Sequence, residues 1–278
     1  MAEIVRCRPL LGTFVEVHGQ GARAVEAAFA AVERVHKLMS AHDPDSELSQ
    51  INRFAHRERV TIDPWTVAVL GRARYWAKLS EGAFDTVTAG RNGVGKGLLP
   101  RHPGMMVDDH ARWDAVVLDE ETVTLREPCC IDLGGIAKGF AVDRAIDAMR
   151  DVGAASGLVN AGGDMAGFGR QSWDATVVEP ANRMPMMAIR ICNEALATSA
   201  LLAGTDGLSG DHLVGADSRW ISATVAAPSA MDADALAKIV LAGSTKAALC
   251  LGVANARAVT IDHNGVVHEC TAAFAEAA

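Results

Sequence analysis

Aromatic residues are scarce in this chain: Phe, Trp and Tyr make up 5% of 278 residues, with a single tyrosine. Base-stacking platforms are correspondingly few. Positive charge is in the minority, 26 Lys and Arg against 34 Asp and Glu, for a formal charge of −8. An acidic chain repels phosphate backbones, which argues against a general nucleic-acid binder. A small anionic ligand stays open to it wherever a metal or aimed backbone N–H groups offset the charge locally. No apolar run reaches the roughly 18 residues that span a bilayer. Glu3, Arg6 and Arg8 leave no room near the start for a signal-peptide core. The six cysteines (Cys7, Cys129, Cys130, Cys192, Cys250 and Cys270) are scattered without a C-x-x-C pair. That spacing points to reduced core thiols rather than a zinc site or a disulfide framework, and to a cytoplasmic setting.

What is present is ordinary for a globular protein, 50% apolar and 22% charged residues; collagen-like, coiled-coil and mostly disordered chains are thereby excluded. Residues 12–18 alternate like a strand. Val25, Phe29, Val32, Val35 and Met39 recur at helical spacing over 22–39. A second helix fits 65–79, and between the two Ser46 or Asp45 is placed to cap a short one. Residues 86–112, rich in Gly, Pro and basic side chains, read as a mobile surface loop. Strands follow at 115–118 and 122–125, a helix from Ala137 to Arg150 stopped by Gly153, and strands at 157–160, 174–178, 186–191 and 221–227. A helix capped by Asp232 covers 232–242, and Asn264-Gly265 marks a hairpin between 257–262 and 266–270. Strands and helices mix without strict alternation, which predicts an α+β fold rather than a doubly wound sheet.

Five places carry candidate chemistry. Gly90 to Gly97 matches the G-x-x-x-x-G-K phosphate loop, but Gly97 replaces the hydroxyl residue and the following prolines forbid the helix that motif needs. Gly162-Gly163-Asp164 after a strand is either a tight turn or a backbone that approaches phosphate oxygens. Asp132 and Lys138 flank a Gly-rich turn at a helix start, fit for a phosphate or a flavin carbonyl, or else for a plain cap with a solvated lysine. Asp234 and Lys238 share a helix face, as a surface ion pair or as part of a site. His212 stands in a loop as a solvated side chain or a general acid or base.

These pieces stand together in the stretches LLGTFVEV, SAHDPDSELSQIN, SEGAFDTV, IDLGGIAKGFAVDRAID, LVNAGGDM, LATSA, DHLVG and ATVAAPSAMDADALAK. In that combination and order the chain resembles the ApbE-type FAD:protein FMN transferase family. The resemblance implies a two-lobed α+β fold of mixed or antiparallel sheets with flanking helices, one domain over 1–278 whose lobes interweave, with FAD in the cleft between them. It implies Mg²⁺ near the pyrophosphate and transfer of FMN from FAD to a Ser or Thr hydroxyl of a partner protein, with release of AMP. Carried over by position, the FAD contacts are Leu11, His42, Ala83, Phe84, Asp85, Asp132, Lys138, Gly162, Gly163, Thr198 and Val214. The metal ligands are the Gly135 carbonyl, Asp234 and the Ala237 carbonyl, and His212 is the residue placed to act in transfer. Such a site suits phosphoanhydride cleavage, which needs positioning and charge neutralisation more than covalent help.

The chain also departs from the family pattern. Leu11 stands for a Met and His42 for a flavin-stacking Tyr. Leu213 to Ala216 lack the Asp and Pro that normally follow the histidine. Lys238 replaces a Thr that gives the metal an oxygen, and an ammonium has no lone pair to offer. An FAD-binding carrier, sensor or scaffold without transfer activity is therefore the alternative expectation.

Overall fold

The computed structural model describes residues 3–201 and 219–270. The chain opens with a hairpin, β1 (Glu3–Leu10) and β2 (Thr13–Gln20), then α1 (Ala22–Met39) and α2 (Glu47–Phe54). It continues through β3 (Val60–Thr61), α3 (Pro64–Leu79), α4 (Thr86–Gly95), β4 (Val116–Leu118) and β5 (Thr122–Leu125). The second half holds α5 (Ala137–Asp151), β6 (Gly157–Ala161), β7 (Asp164–Phe168), β8 (Trp173–Val178), β9 (Pro185–Ile191) and β10 (Ala195–Ala200). Last come β11 (Trp220–Ala227), α6 (Ala230–Leu241), α7 (Ala247–Val253), β12 (Arg257–Asp262) and β13 (Val267–Cys270).

Eight strands form one sheet in the order β1-β2-β6-β7-β10-β11-β12-β13, and every described pairing within it is antiparallel. A three-stranded sheet β3-β5-β4 and a β8-β9 ribbon complete the β-structure. Helices α1, α5 and α6 pack together and onto the large sheet. One buried apolar cluster runs from Val17 and Val159 in that sheet, through Phe29 and Val142, to Trp76, Val123 and Leu125 beside the small sheet. The α+β class follows from this pattern: apolar stripes of helices lie on one face of an antiparallel sheet.

Local chemistry sets most boundaries. Ser46 caps α2 by accepting from the Ser49 N–H at 3.0 Å, and Asp63 before Pro64 caps α3 through the Trp65 N–H. The helix expected from Asp232 begins earlier. Its cap is Ser229, whose hydroxyl accepts from the Asp232 N–H, and Asp232 itself is held by Arg72 and the Trp76 indole. Both residues are capping types, and S-x-x-D places the first of them at the cap.

Residues 86–112 are not the loop expected from their composition. Asp85 caps α4 with its Oδ1 accepting from the Val87 and Thr88 N–H groups at 2.9 and 3.1 Å. A Cβ at Gly90 would fall 2.2 Å from the Cys130 carbonyl oxygen, and one at Gly93 would strike Leu99. The glycines that mimic a phosphate loop therefore let α4 lie against its neighbours. Beyond it Leu99 and Met105 pack on Cys130, and Arg91 donates to the carbonyls of Asp109 and Ala111. The thiols divide: Cys129, Cys130 and Cys250 are buried, while Cys7 and Cys192 are exposed, so the expectation of core thiols holds for half of them.

Candidate functional site

A cavity of about 1060 Å³ opens between the large sheet and the α3–α4 side of the molecule. Of the residues expected to contact FAD, Leu11, His42, Ala83, Phe84, Asp85, Asp132, Lys138 and Thr198 all line it. Val214 and His212 lie outside the described residues. The β1–β2 turn brings in Leu11 and Gly12, both with positive φ, at 56° and 72°. A two-residue turn with both centres left-handed matches the strand twist, yet leucine is sterically disfavoured there. The turn sets this apolar side chain against the cavity.

The floor is the turn before α5. Asp132 Oδ1 accepts from the Gly134 N–H at 2.9 Å, while the Asp132 N–H donates to the Thr86 carbonyl. Phe84 lies across this turn, with Cε2 3.3 Å from where a Cβ on Gly135 would stand. The first turn of α5 turns the positive end of its dipole toward the same space, with the Ala137 N–H held by the Leu133 carbonyl and the Gly139 N–H by Asp234.

Lys138, in that first turn, reaches the carboxylates of Asp164 on β7 and Asp234 on α6, at 2.5 and 3.7 Å. Lys238, one turn beyond Asp234, closes on Asp234 Oδ1, whose companion Oδ2 accepts from the Gly139 N–H at 3.1 Å. Two ammoniums thus face two aspartates whose side chains are almost wholly buried. Burial alone pushes Lys138 toward neutrality, but Asp234 and Asp164 outweigh it and hold its pKa above the ordinary lysine value. Burial resists ionisation of Asp234, which Lys138, Lys238 and the Gly139 N–H overcome, leaving its pKa low. Asp164 goes the other way: burial and repulsion from Asp234 raise it against the pull of both lysines.

Gly162 and Gly163 do not reach the cavity wall. They form the β6–β7 turn, with φ of 66° and 103°, and the Gly163 N–H is taken by Asn160 Oδ1 at 2.9 Å. Their contribution is to set Asp164 at the head of β7, where it meets Lys138. That aspartate was signalled only by its neighbours in the chain. Arg91 and Arg112, which add positive charge to the rim, carry no local signal in the sequence at all. The thiols of Cys129 and Cys130, pushed up to about 12 chiefly by burial, are inert as nucleophiles.

The expected metal ligands do not make a metal site. Asp234 is fully buried and both its oxygens are occupied by Lys238 and Gly139. The Lys238 side chain passes over Gly135, its Cε 3.6 Å from a Cβ built there. Ala237 is buried in the interior of α6. Among the described residues no group of three or more His, Cys, Asp or Glu is arranged to hold an ion. An ammonium already stands among these oxygens, and it repels a divalent cation at that range.

Solved structures share this architecture. An ApbE protein from Thermotoga maritima superimposes with a TM-score of 0.81, at 25% identity over 99% of both chains. The flavin transferase ApbE from Vibrio cholerae gives 0.82 at 23% identity, again over 99% of both. The family model described as "ApbE family" matches residues 11–259, and the chain belongs to that family. Among curated relatives, FAD:protein FMN transferase from Treponema pallidum is 26% identical, covering 84% of this chain and 77% of its own. The protein of the same name from Vibrio cholerae is 27% identical, covering 81% and 74%.

Proposed function

We propose that this chain binds FAD in the cavity and transfers the FMN half to a Ser or Thr hydroxyl of an acceptor protein, releasing AMP. The observation that carries this reading is the convergence of Phe84, Asp132 and the ammoniums of Lys138 and Lys238 on one cavity, in a chain whose relatives bear that transferase name. The volume lies at the upper end of small-molecule sites, as an extended dinucleotide requires. Leu11, Phe84 and His42 form the wall for the flavin, while Lys138 and the first turn of α5 meet the pyrophosphate.

In the transfer the acceptor oxygen bonds to the flavin-side phosphorus, the anhydride P–O bond breaks, and AMP leaves with the bridging oxygen. The hydroxyl proton passes to His212 or a nearby carboxylate. The two ammoniums and the α5 N-terminus offset the charge that develops on the phosphates. The unpaired cysteines support a reducing, cytoplasmic setting for this reaction. Among the described residues no helix is long and apolar enough to cross a membrane.

The test is intact-mass analysis after incubation with FAD and candidate acceptor proteins. A mass gain of one FMN on the acceptor, with AMP released in equal amount, is expected. Retention of intact FAD without AMP for every acceptor tried favours the second reading, a flavin carrier without transfer, which Lys238 at the expected metal position supports.

A further inference from the structure

We propose that the Lys238 ammonium stands where a divalent cation would sit, so that the cavity takes up the FAD pyrophosphate with no metal ion. This rests on the FAD reading above and goes beyond it.

Three observations carry the inference. First, Asp234 Oδ1 is shared by two ammoniums, Lys238 in direct contact and Lys138 at 3.7 Å, while Oδ2 is held by the Gly139 N–H. With both cations on Oδ1, an ion approaching that oxygen would have to displace an ammonium. Second, Lys238 is anchored from both sides. It stands one helical turn from Asp234 on α6, and its stem lies beside Gly135, with Cε and Cδ 3.6 and 3.8 Å from where a Cβ there would stand. Third, the charges balance: Lys138 and Lys238 against Asp164 and Asp234. A divalent ion approaching Asp234 would meet two repelling ammoniums, so its binding there is unfavourable on charge. Lys238 also lines the cavity, and an ammonium has three donors of which Asp234 Oδ1 takes one. The others are available to phosphate oxygens, the role Lys plays as a compact point charge.

Two measurements decide it. FAD binding to the native chain is followed by flavin fluorescence in excess EDTA and in excess Mg²⁺. The dissociation constants are expected to agree within about threefold, since a ligand with no site shifts no equilibrium; a larger weakening by EDTA overturns the proposal. Separately, Mn²⁺ is titrated into the FAD-free protein and its binding read by electron paramagnetic resonance. The native chain is expected to bind none at this site, and Lys238→Thr, which removes the ammonium and supplies a hydroxyl oxygen, is expected to gain a site. Tight Mn²⁺ binding by the native chain that Lys238→Thr does not increase overturns the proposal. Thermal unfolding checks that the variant is folded, and the native-chain arms decide the question if it is not. Should FAD fail to bind with or without metal, the FAD reading falls, while the Mn²⁺ titration still decides whether Lys238 holds the cation position.

Discussion

A leucine with a φ of 56° is an uncomfortable residue, and Leu11 holds that conformation at the mouth of the cavity. Asparagine tolerates the left-handed region better. Leu11→Asn is therefore expected to raise unfolding stability by about 1 kcal/mol while weakening FAD binding severalfold; urea denaturation and a fluorescence titration check the two halves. A stabilised variant with unchanged affinity would remove Leu11 from the flavin wall. Single residues were legible in the sequence to different depths. The six-residue spacing of Asp132 and Lys138 across a turn is local, and it does place both on one cavity. Lys238 was conspicuous as a departure from the family pattern, and it proves to be the partner of Asp234. Asp164 is visible in the sequence only as the end of a Gly-Gly turn and Arg112 not at all, because their partners, Lys138 and Asp85, lie 26 and 27 residues away and only the fold brings them together.

At the scale of elements, α5 and α6 cap one another. Asp234 of α6 accepts from the Gly139 N–H at the start of α5, and Asp143 of α5 accepts from the Ala230 and Met231 N–H groups and the Ser229 hydroxyl at the start of α6. The first N–H groups of both helices find partners this way. The arrangement needs the backbones close: a Cβ on Gly139 would stand 2.1 Å from the Ala230 carbonyl oxygen. Gly139→Ala is expected to cost about 2–3 kcal/mol through overpacking and to disturb the Lys138–Asp234 cluster. Gly95→Ala, at the end of α4 with nothing within 4 Å, is expected to stabilise by about 0.5–1 kcal/mol instead. Equal effects by urea denaturation would contradict this packing account. Helices α1, α3 and α5 were legible from apolar periodicity, and the β12–β13 hairpin from Asn264-Gly265. Helix α4 was not, because the glycines its packing demands lower its helical propensity. Strand β1 was hidden by charge: Arg6 and Arg8 point to Glu26 and Glu33 on α1 rather than into a core.

For the whole molecule, the α+β class was legible, since strands did not alternate with helices, but the cavity was not. Its lining comes from segments between Leu11 and Ala242, and no local pattern joins them; only the resemblance to a family did. In an acidic chain of net charge −8, the cavity brings Lys138, Lys238, Arg91 and Arg112 together beside Asp85, Asp109 and Asp132, so cationic donors stand where a pyrophosphate would lie. Global stability carries a pH signature from His56, whose pKa lies below the ordinary 6.5 chiefly through burial and secondarily through the Arg57 guanidinium. The unfolded chain then takes up a proton first. Stability is full above pH 6.5 and falls as pH drops from there toward the folded value. His56→Gln is expected to flatten that part of the urea-midpoint profile, and an unchanged profile would assign the dependence elsewhere. The most direct test of the central claim is an FAD titration of the native chain beside Lys138→Ala, read by flavin fluorescence with circular dichroism as the check on folding. Saturable one-to-one binding that weakens about tenfold or more in the variant is predicted, the worth of a charged hydrogen bond to phosphate. No binding to the native chain, or equal binding to both, would contradict it.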